Sequence, residues 1–137
     1  MVPVMCVVHE HRLEAVSELD RRLDSGQEMV VAGHSVVETY AVLTRLPPPN
    51  RLSALDAWRL IKENFVDQSR IMALDADEFR VLLDRASEAG IAGGQVYDFL
   101  IAECARRAGV DTLLTFNSRH FLRLADSGVR ITVPGNP

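Results

Sequence analysis

The sequence predicts an α/β fold, a mainly parallel sheet flanked by helices. Three observations lead there. Short apolar segments bounded by turn residues alternate with longer segments of helical periodicity. Strands separated by helices pair in parallel through crossovers and are covered on both faces. A chain of 137 residues, 47% apolar and 25% charged, suits a single domain over 1–137 that buries a real core. That composition excludes the disordered and fibrous classes.

The elements follow in order. Leu13, Val16, Leu19 and Leu23 have helical spacing, and Gly26 supplies the stop. Met29–Ala32 reads as a short buried strand. A helix from about Ser35 to Leu46 sets Val36, Tyr40 and Leu43 on one face, and Pro47-Pro48-Pro49-Asn50 ends it in a stiff loop. Ser53, with Asp56 three residues on, opens a third helix whose core positions are Leu55, Trp58, Ile61 and Phe65. Ile71–Leu74 is a candidate strand. Asp75 with Glu78 caps the next helix, whose core positions are Phe79, Leu82, Leu83 and Ala86. Gly90 to Gly94 breaks the chain, and an apolar helix runs from about Gln95 to Ala108, closed by Gly109. Thr112–Thr115 reads as a buried strand, Ser118–Ala125 as a short helix and Val129–Val133 as a last strand. No repeat, low-complexity tract or linker interrupts this series.

The net charge of −4 argues against broad electrostatic binding to nucleic acid. Lys62 is the only lysine, so local patches of positive charge fall to arginine. Cys6 and Cys104 lie far apart, which fits neither a disulfide scaffold nor a zinc knuckle and suits a reducing compartment. The longest apolar run, Val2–Val8, is far short of a membrane span and has no charged region before it. A cytoplasmic protein without a membrane segment is the expectation.

Parallel α/β sheets place their sites at the carboxyl ends of strands, which directs attention to the residues after Ala32 and Thr115 and to facing helix ends. Asp98 shares a helix side with Ile101, Ala102 and Ala105, while Glu103 and Arg107 mark the opposite, solvated face. A carboxylate on the core side needs a metal, a cation or donors. Its place in the first turn offers a second account, since the helix dipole favours an acid there. Glu38 is a weaker candidate: with His34, Val42 and Arg45 as helical neighbours, a solvated glutamate near an arginine explains it well. Asn117 follows the Thr112–Thr115 strand, where an N-cap is the default and a site residue the alternative; Thr115 shares that location. His9, Glu10 and His11 alternate and share no helix face, and His34 and His120 stand isolated. Ile91-Ala92-Gly93-Gly94 enters a helix N-terminus that suits a phosphate, though a plain turn explains it. Signatures of dinucleotide folds, P-loops, zincins and α/β-hydrolases are missing.

Two stretches, VVAGHSVVETYAVLTRLPPPNRLS and IAGGQVYDFLIAECARRAGVDTLLTFNSRHF, together closely resemble the PIN-domain family, in the branch formed by the toxins of VapBC toxin–antitoxin modules. The resemblance covers roughly residues 10–133. It implies a three-layer α/β sandwich around a parallel sheet and a Mg²⁺- or Mn²⁺-dependent endoribonuclease silenced by a VapB-like antitoxin. Glu38, in V-x-E-T-Y, and Asp98, in Y-D-x-L-I-A, would belong to the acidic metal site. Asn117, two residues after the threonine of L-L-T-x-N, would be its later member, with Thr115 at the edge. Possible homodimers are implied as well.

Carboxylates suit such hard cations, and a bound metal can activate water for attack on phosphate, so no side-chain nucleophile is needed. One departure stands out. The family opens with a strand ending in aspartate, in a D-T/S-N-V-L-like motif, whereas this chain begins MVPVMCVVHEHRLEA. The strand and its aspartate are expected to be missing, which leaves Glu38 and Asp98 as the matched acids. The competing expectation is a catalytically impaired PIN-like domain that binds an antitoxin or a dimer partner.

Overall fold

The computed structural model describes residues 10–121 and 128–135. The expectations for Val2–Val8, Cys6 and His9, and for residues 122–125 of the last helix, lie outside them. The chain divides into two compact units, one ending at Ile71 and the other beginning at Met72.

In the first unit, α1 (Arg12–Asp24) is a surface helix that buries Ala15. Glu18 accepts hydrogen bonds from Arg21 and Arg22, one turn on, at 2.7–2.9 Å. The Arg21 hydrogen bonds are the main reason that its carboxyl is held down at about 2. The helix ends at Gly26, whose φ of +79° is left-handed and suits glycine. β1 (Val30–Ala32) turns directly into α2 (Gly33–Arg45), and β1 pairs with β2 (Arg70–Met72) in a two-stranded sheet. α3 (Ala54–Asn64) starts where the sequence places it: the Ser53 hydroxyl accepts the Asp56 amide at 3.1 Å. Packing between α2 and α3 makes the core. Leu43, Ala57 and Ile61 are fully buried, and Val36, Tyr40, Leu46, Leu52, Leu60 and Val66 pack around them. The Leu52 amide donates to the Leu43 carbonyl at 3.1 Å and folds the proline loop back onto α2.

The second unit contains α4 (Ala76–Glu88), α5 (Gln95–Ala108), β3 (Thr112–Leu114) and β4 (Arg130–Thr132). The Asp75–Glu78 capping box forms in full, with each side chain accepting the other residue's amide. Gly109, at φ +66°, closes α5 as expected. β3 and β4 run parallel, with Thr112, Leu113 and Leu114 opposite Arg130, Ile131 and Thr132. The α/β class and the parallel pairing agree with the sequence. The described strands are shorter than expected and form two separate pairs.

Two expectations about helix faces are corrected. Leu55, Trp58, Phe79 and Leu83 are exposed, and the buried positions of α3 and α4 are Ala57, Ile61, Leu82 and Ala86. Periodicity finds an apolar stripe, but not how much of it a neighbour covers. Glu103 is the larger correction, because it is buried, at 6% exposure. Its carboxylate accepts Arg85 of α4 at 3.2 Å, Arg106 at 2.6 and 3.0 Å, and Arg107 at 3.0 Å. A buried charge is tolerated when paired in this way. Arg107 also pairs with Glu78, and the Arg85 guanidinium lies 5.5 Å from the centre of the Phe99 ring. The network ties α5 to α4.

Two stability predictions follow from this packing. Ile61→Ala should cost about 2–4 kcal/mol in denaturant unfolding, because a fully buried side chain leaves a cavity. The Glu103 carboxyl is held at about 2, chiefly by the hydrogen bonds from Arg106, against an ordinary 4.5. Its contribution is therefore complete above pH 4.5 and is lost as the pH falls towards 2. On the order of 2 kcal/mol is at stake once screening of the half-exposed arginines is allowed for. Glu103→Gln should lower stability at pH 7 and flatten the fall between pH 5 and 2; an unchanged acid profile would contradict this.

Candidate functional site

α5 begins at a glycine turn. Gly93 takes φ +58°, and the Val96 and Tyr97 amides close the turn onto the Gly93 and Gly94 carbonyls at 3.3 and 3.2 Å. Asp98 lies in the first turn of the helix, where the dipole favours a carboxylate. Its side chain is 24% exposed, half-buried but open to solvent.

The second contribution comes from the carboxyl end of β3. The Thr115 amide donates to the Thr132 carbonyl at 3.0 Å, which carries the parallel pairing one residue beyond the strand. The Thr115 hydroxyl then accepts the Asn117 amide at 3.0 Å and tightens the chain into a turn. Residues 118–121 wind into a 3-10 turn, in which side chains three apart line up. Here the His120 amide donates to the Asn117 carbonyl at 3.2 Å.

These two pieces meet at the His120 ring. Its Nδ1 lies 2.6 Å from Asp98 Oδ2 and 2.6 Å from the Asn117 side-chain amide. Asp98, Thr115 and Asn117 are thus brought together by the second unit, with Thr115 bracing the Asn117 backbone and Asn117 turning its amide to the ring. Glu38 belongs to the first unit, exposed on α2, where among the described residues it makes no hydrogen bond or ion pair.

His120 is the residue that the sequence misjudges, because it is not isolated. Its link to Asp98 spans 22 positions, beyond any local pattern. The available signal was its spacing of three from Asn117 just past a strand end. Glu10 and His11 form a 3.6 Å surface pair.

The donor set is mixed. Among the described residues no three His, Cys, Asp or Glu side chains gather. The Asp98 cluster offers one carboxylate, one amide and one imidazole. Carboxylate and amide oxygens completed by water are what a hard divalent cation takes, so these residues fit one.

The PIN-domain family model matches residues 7–127, most of the chain and both stretches that form the site. The chain belongs to the PIN-domain family. As a PIN-domain protein it is similar to Ribonuclease VapC40 of Mycobacterium tuberculosis in two strains, CDC 1551 / Oshkosh and ATCC 25618 / H37Rv. Each is 37% identical over 105 residues, covering 77% of this chain and 72% of the relative. It is also similar to Ribonuclease VapC27 of the H37Rv strain, 38% identical over 79 residues, which cover 58% of this chain and 56% of that protein. No solved structure matches significantly. This PIN-domain chain is therefore VapC-like.

Proposed function

We propose that this protein is an endoribonuclease toxin of a type II toxin–antitoxin pair, acting in the cytoplasm with Mg²⁺ or Mn²⁺ and restrained by a VapB-like antitoxin. Homodimers fit the same reading. Among the described residues no helix is long and apolar enough to cross a membrane. The observation that carries the reading is Asp98, a half-open carboxylate in the first turn of α5, joined to the turn that follows β3.

The metal would be held in the second unit by the carboxylate of Asp98 and the side-chain oxygen of Asn117. When bound, it supplies a polarised water for attack on a phosphodiester and neutralises the charge that develops on the leaving oxygen. The protein's own work is positioning. Asp98 keeps Oδ1 without a hydrogen-bond partner among the described residues while Oδ2 is held by His120. Thr115 fixes the Asn117 backbone, so that the Asn117 side-chain amide meets the His120 ring on a set turn rather than a loose loop. Arginine rather than lysine supplies nearly all the positive charge, and its planar fork suits RNA phosphates even on an acidic chain.

The second reading, a PIN-like domain that only binds an antitoxin or dimer partner, is favoured by one observation: the Asp98 cluster contains a single acid. Cleavage of a mixed RNA pool in Mn²⁺ separates the two. The expected outcome is cleavage by the unaltered chain that EDTA abolishes and that Asp98→Asn reduces by more than about 100-fold with the fold intact. Cleavage that survives Asp98→Asn would overturn the site assignment. A well-folded chain that cleaves no RNA would favour the binding reading.

A further inference from the structure

We propose that His120 is itself a metal ligand, and that its Nδ1, Asp98 Oδ2 and the Asn117 side-chain oxygen form a donor set that prefers Mn²⁺ to Mg²⁺. The inference rests on the metal-dependent reading above and adds a ligand and a selectivity to it.

The argument begins with valence. An imidazole nitrogen carries either one proton or one in-plane lone pair, so Nδ1 can make one good hydrogen bond. Here two polar atoms each lie 2.6 Å from it, both nearer than an ordinary N–H···O contact of about 2.7–3.2 Å. With Nδ1 protonated, Asp98 accepts the proton, and the Asn117 amide must turn its oxygen inward to avoid donor against donor. One proton then faces two oxygens. With Nδ1 bare, Asn117 donates, and the Asp98 carboxylate faces a lone pair. In neither state does Nδ1 make a good hydrogen bond to both neighbours.

A cation at the shared point satisfies all three groups. The three lone pairs then converge on one charge, with the amide oxygen inward, an orientation assigned from the contact network. Cis ligands around a metal about 2.1 Å away stand roughly 3.0 Å apart, so each of the two contacts to Nδ1 must open by only a few tenths of an ångström. Solvent-facing side chains allow this movement: His120 is 44% exposed, and Asn117 is exposed too. The 3-10 turn sets Asn117 and His120 three apart on one side, while the first turn of α5 presents Asp98 to the His120 ring.

Selectivity follows from the nitrogen. Mg²⁺ is a hard ion that keeps to oxygen and water, whereas Mn²⁺, also at home with oxygen ligands, is a first-row transition ion that accepts an imidazole nitrogen more readily. An all-oxygen cluster would discriminate little, and replacing one oxygen by Nδ1 tilts the site towards Mn²⁺.

The test is metal binding to the full chain without RNA. Mn²⁺ is titrated by the loss of the free-ion electron paramagnetic resonance signal, and Mg²⁺ by competition. We expect His120→Ala to weaken Mn²⁺ binding at least about tenfold with little effect on Mg²⁺. His120→Asp should strengthen Mg²⁺ binding, so that the preference for Mn²⁺ is lost. In the unaltered chain, the electron spin-echo spectrum of bound Mn²⁺ should show imidazole nitrogen modulation, a readout that does not depend on a variant folding. No modulation, or an unchanged Mn²⁺-to-Mg²⁺ ratio in His120→Ala, overturns the inference; tighter binding of both ions overturns it as well, by showing that His120 merely occupies Asp98. If Asp98→Asn abolishes Mn²⁺ binding while His120→Ala does not, only this inference fails. If the unaltered chain binds no Mn²⁺, the metal-dependent reading fails with it.

Discussion

The second unit depends on how α5 is rolled about its axis, and the buried Glu103 carboxylate sets that roll. Three arginines converge on it, Arg85 from α4 and Arg106 and Arg107 from α5 itself. Breaking such a buried pair leaves an uncompensated charge, at a cost of several kcal/mol. Rolling the helix would break its two ionic links to α4, Arg85–Glu103 and Arg107–Glu78. Five residues before Glu103, roughly 140° around the helix, stands Asp98. Holding Glu103 against α4 thus fixes where Asp98 points, and the turn after β3 meets it there.

This arrangement separates structure from chemistry on one helix. At its C-terminal half, Glu103 is surrounded by guanidinium groups, and Cys104 beside it is buried, its thiol pushed up chiefly by that burial. Such a thiol is a core side chain rather than a nucleophile. At the N-terminal turn, the carboxylate of Asp98 is half-open, bonded to a ring that faces solvent and, among the described residues, paired with no arginine or lysine. An acid spared from arginine pairing near a strand's carboxyl end is free to take a cation. The same residue type serves two purposes, decided by what surrounds it.

Local signals in the sequence were reliable where the physics is local. The Asp75–Glu78 capping box, the Ser53 cap and the Gly109 stop each depend on residues within one turn, and all form. Burial was legible only in part. Leu55 at 65% and Leu83 at 55% exposure lie on apolar helical stripes that neighbouring elements do not cover. Glu103 was misread because the arginine that completes its pairing lies 18 positions away on α4. The half-buried setting of Asp98 was nevertheless expected, from a premise about Glu103 that does not hold. Of the proposed site, the motif resemblance named Glu38, Asp98, Asn117 and Thr115, and the last three come together around His120. His120 escaped because its contact with Asp98 exists only after α5, β3 and the following turn have folded.

The account stands on Asp98 and the β3 turn being the place where a divalent cation binds. Residue-resolved nuclear magnetic resonance with sub-stoichiometric Mn²⁺ tests this directly, since the ion broadens amide signals by proximity. Selective broadening at Asp98, Asn117 and His120, with the α4–α5 arginine network unaffected, is the predicted result. Broadening centred on the Glu18 cluster or another acidic surface, with the Asp98 turn untouched, would contradict it.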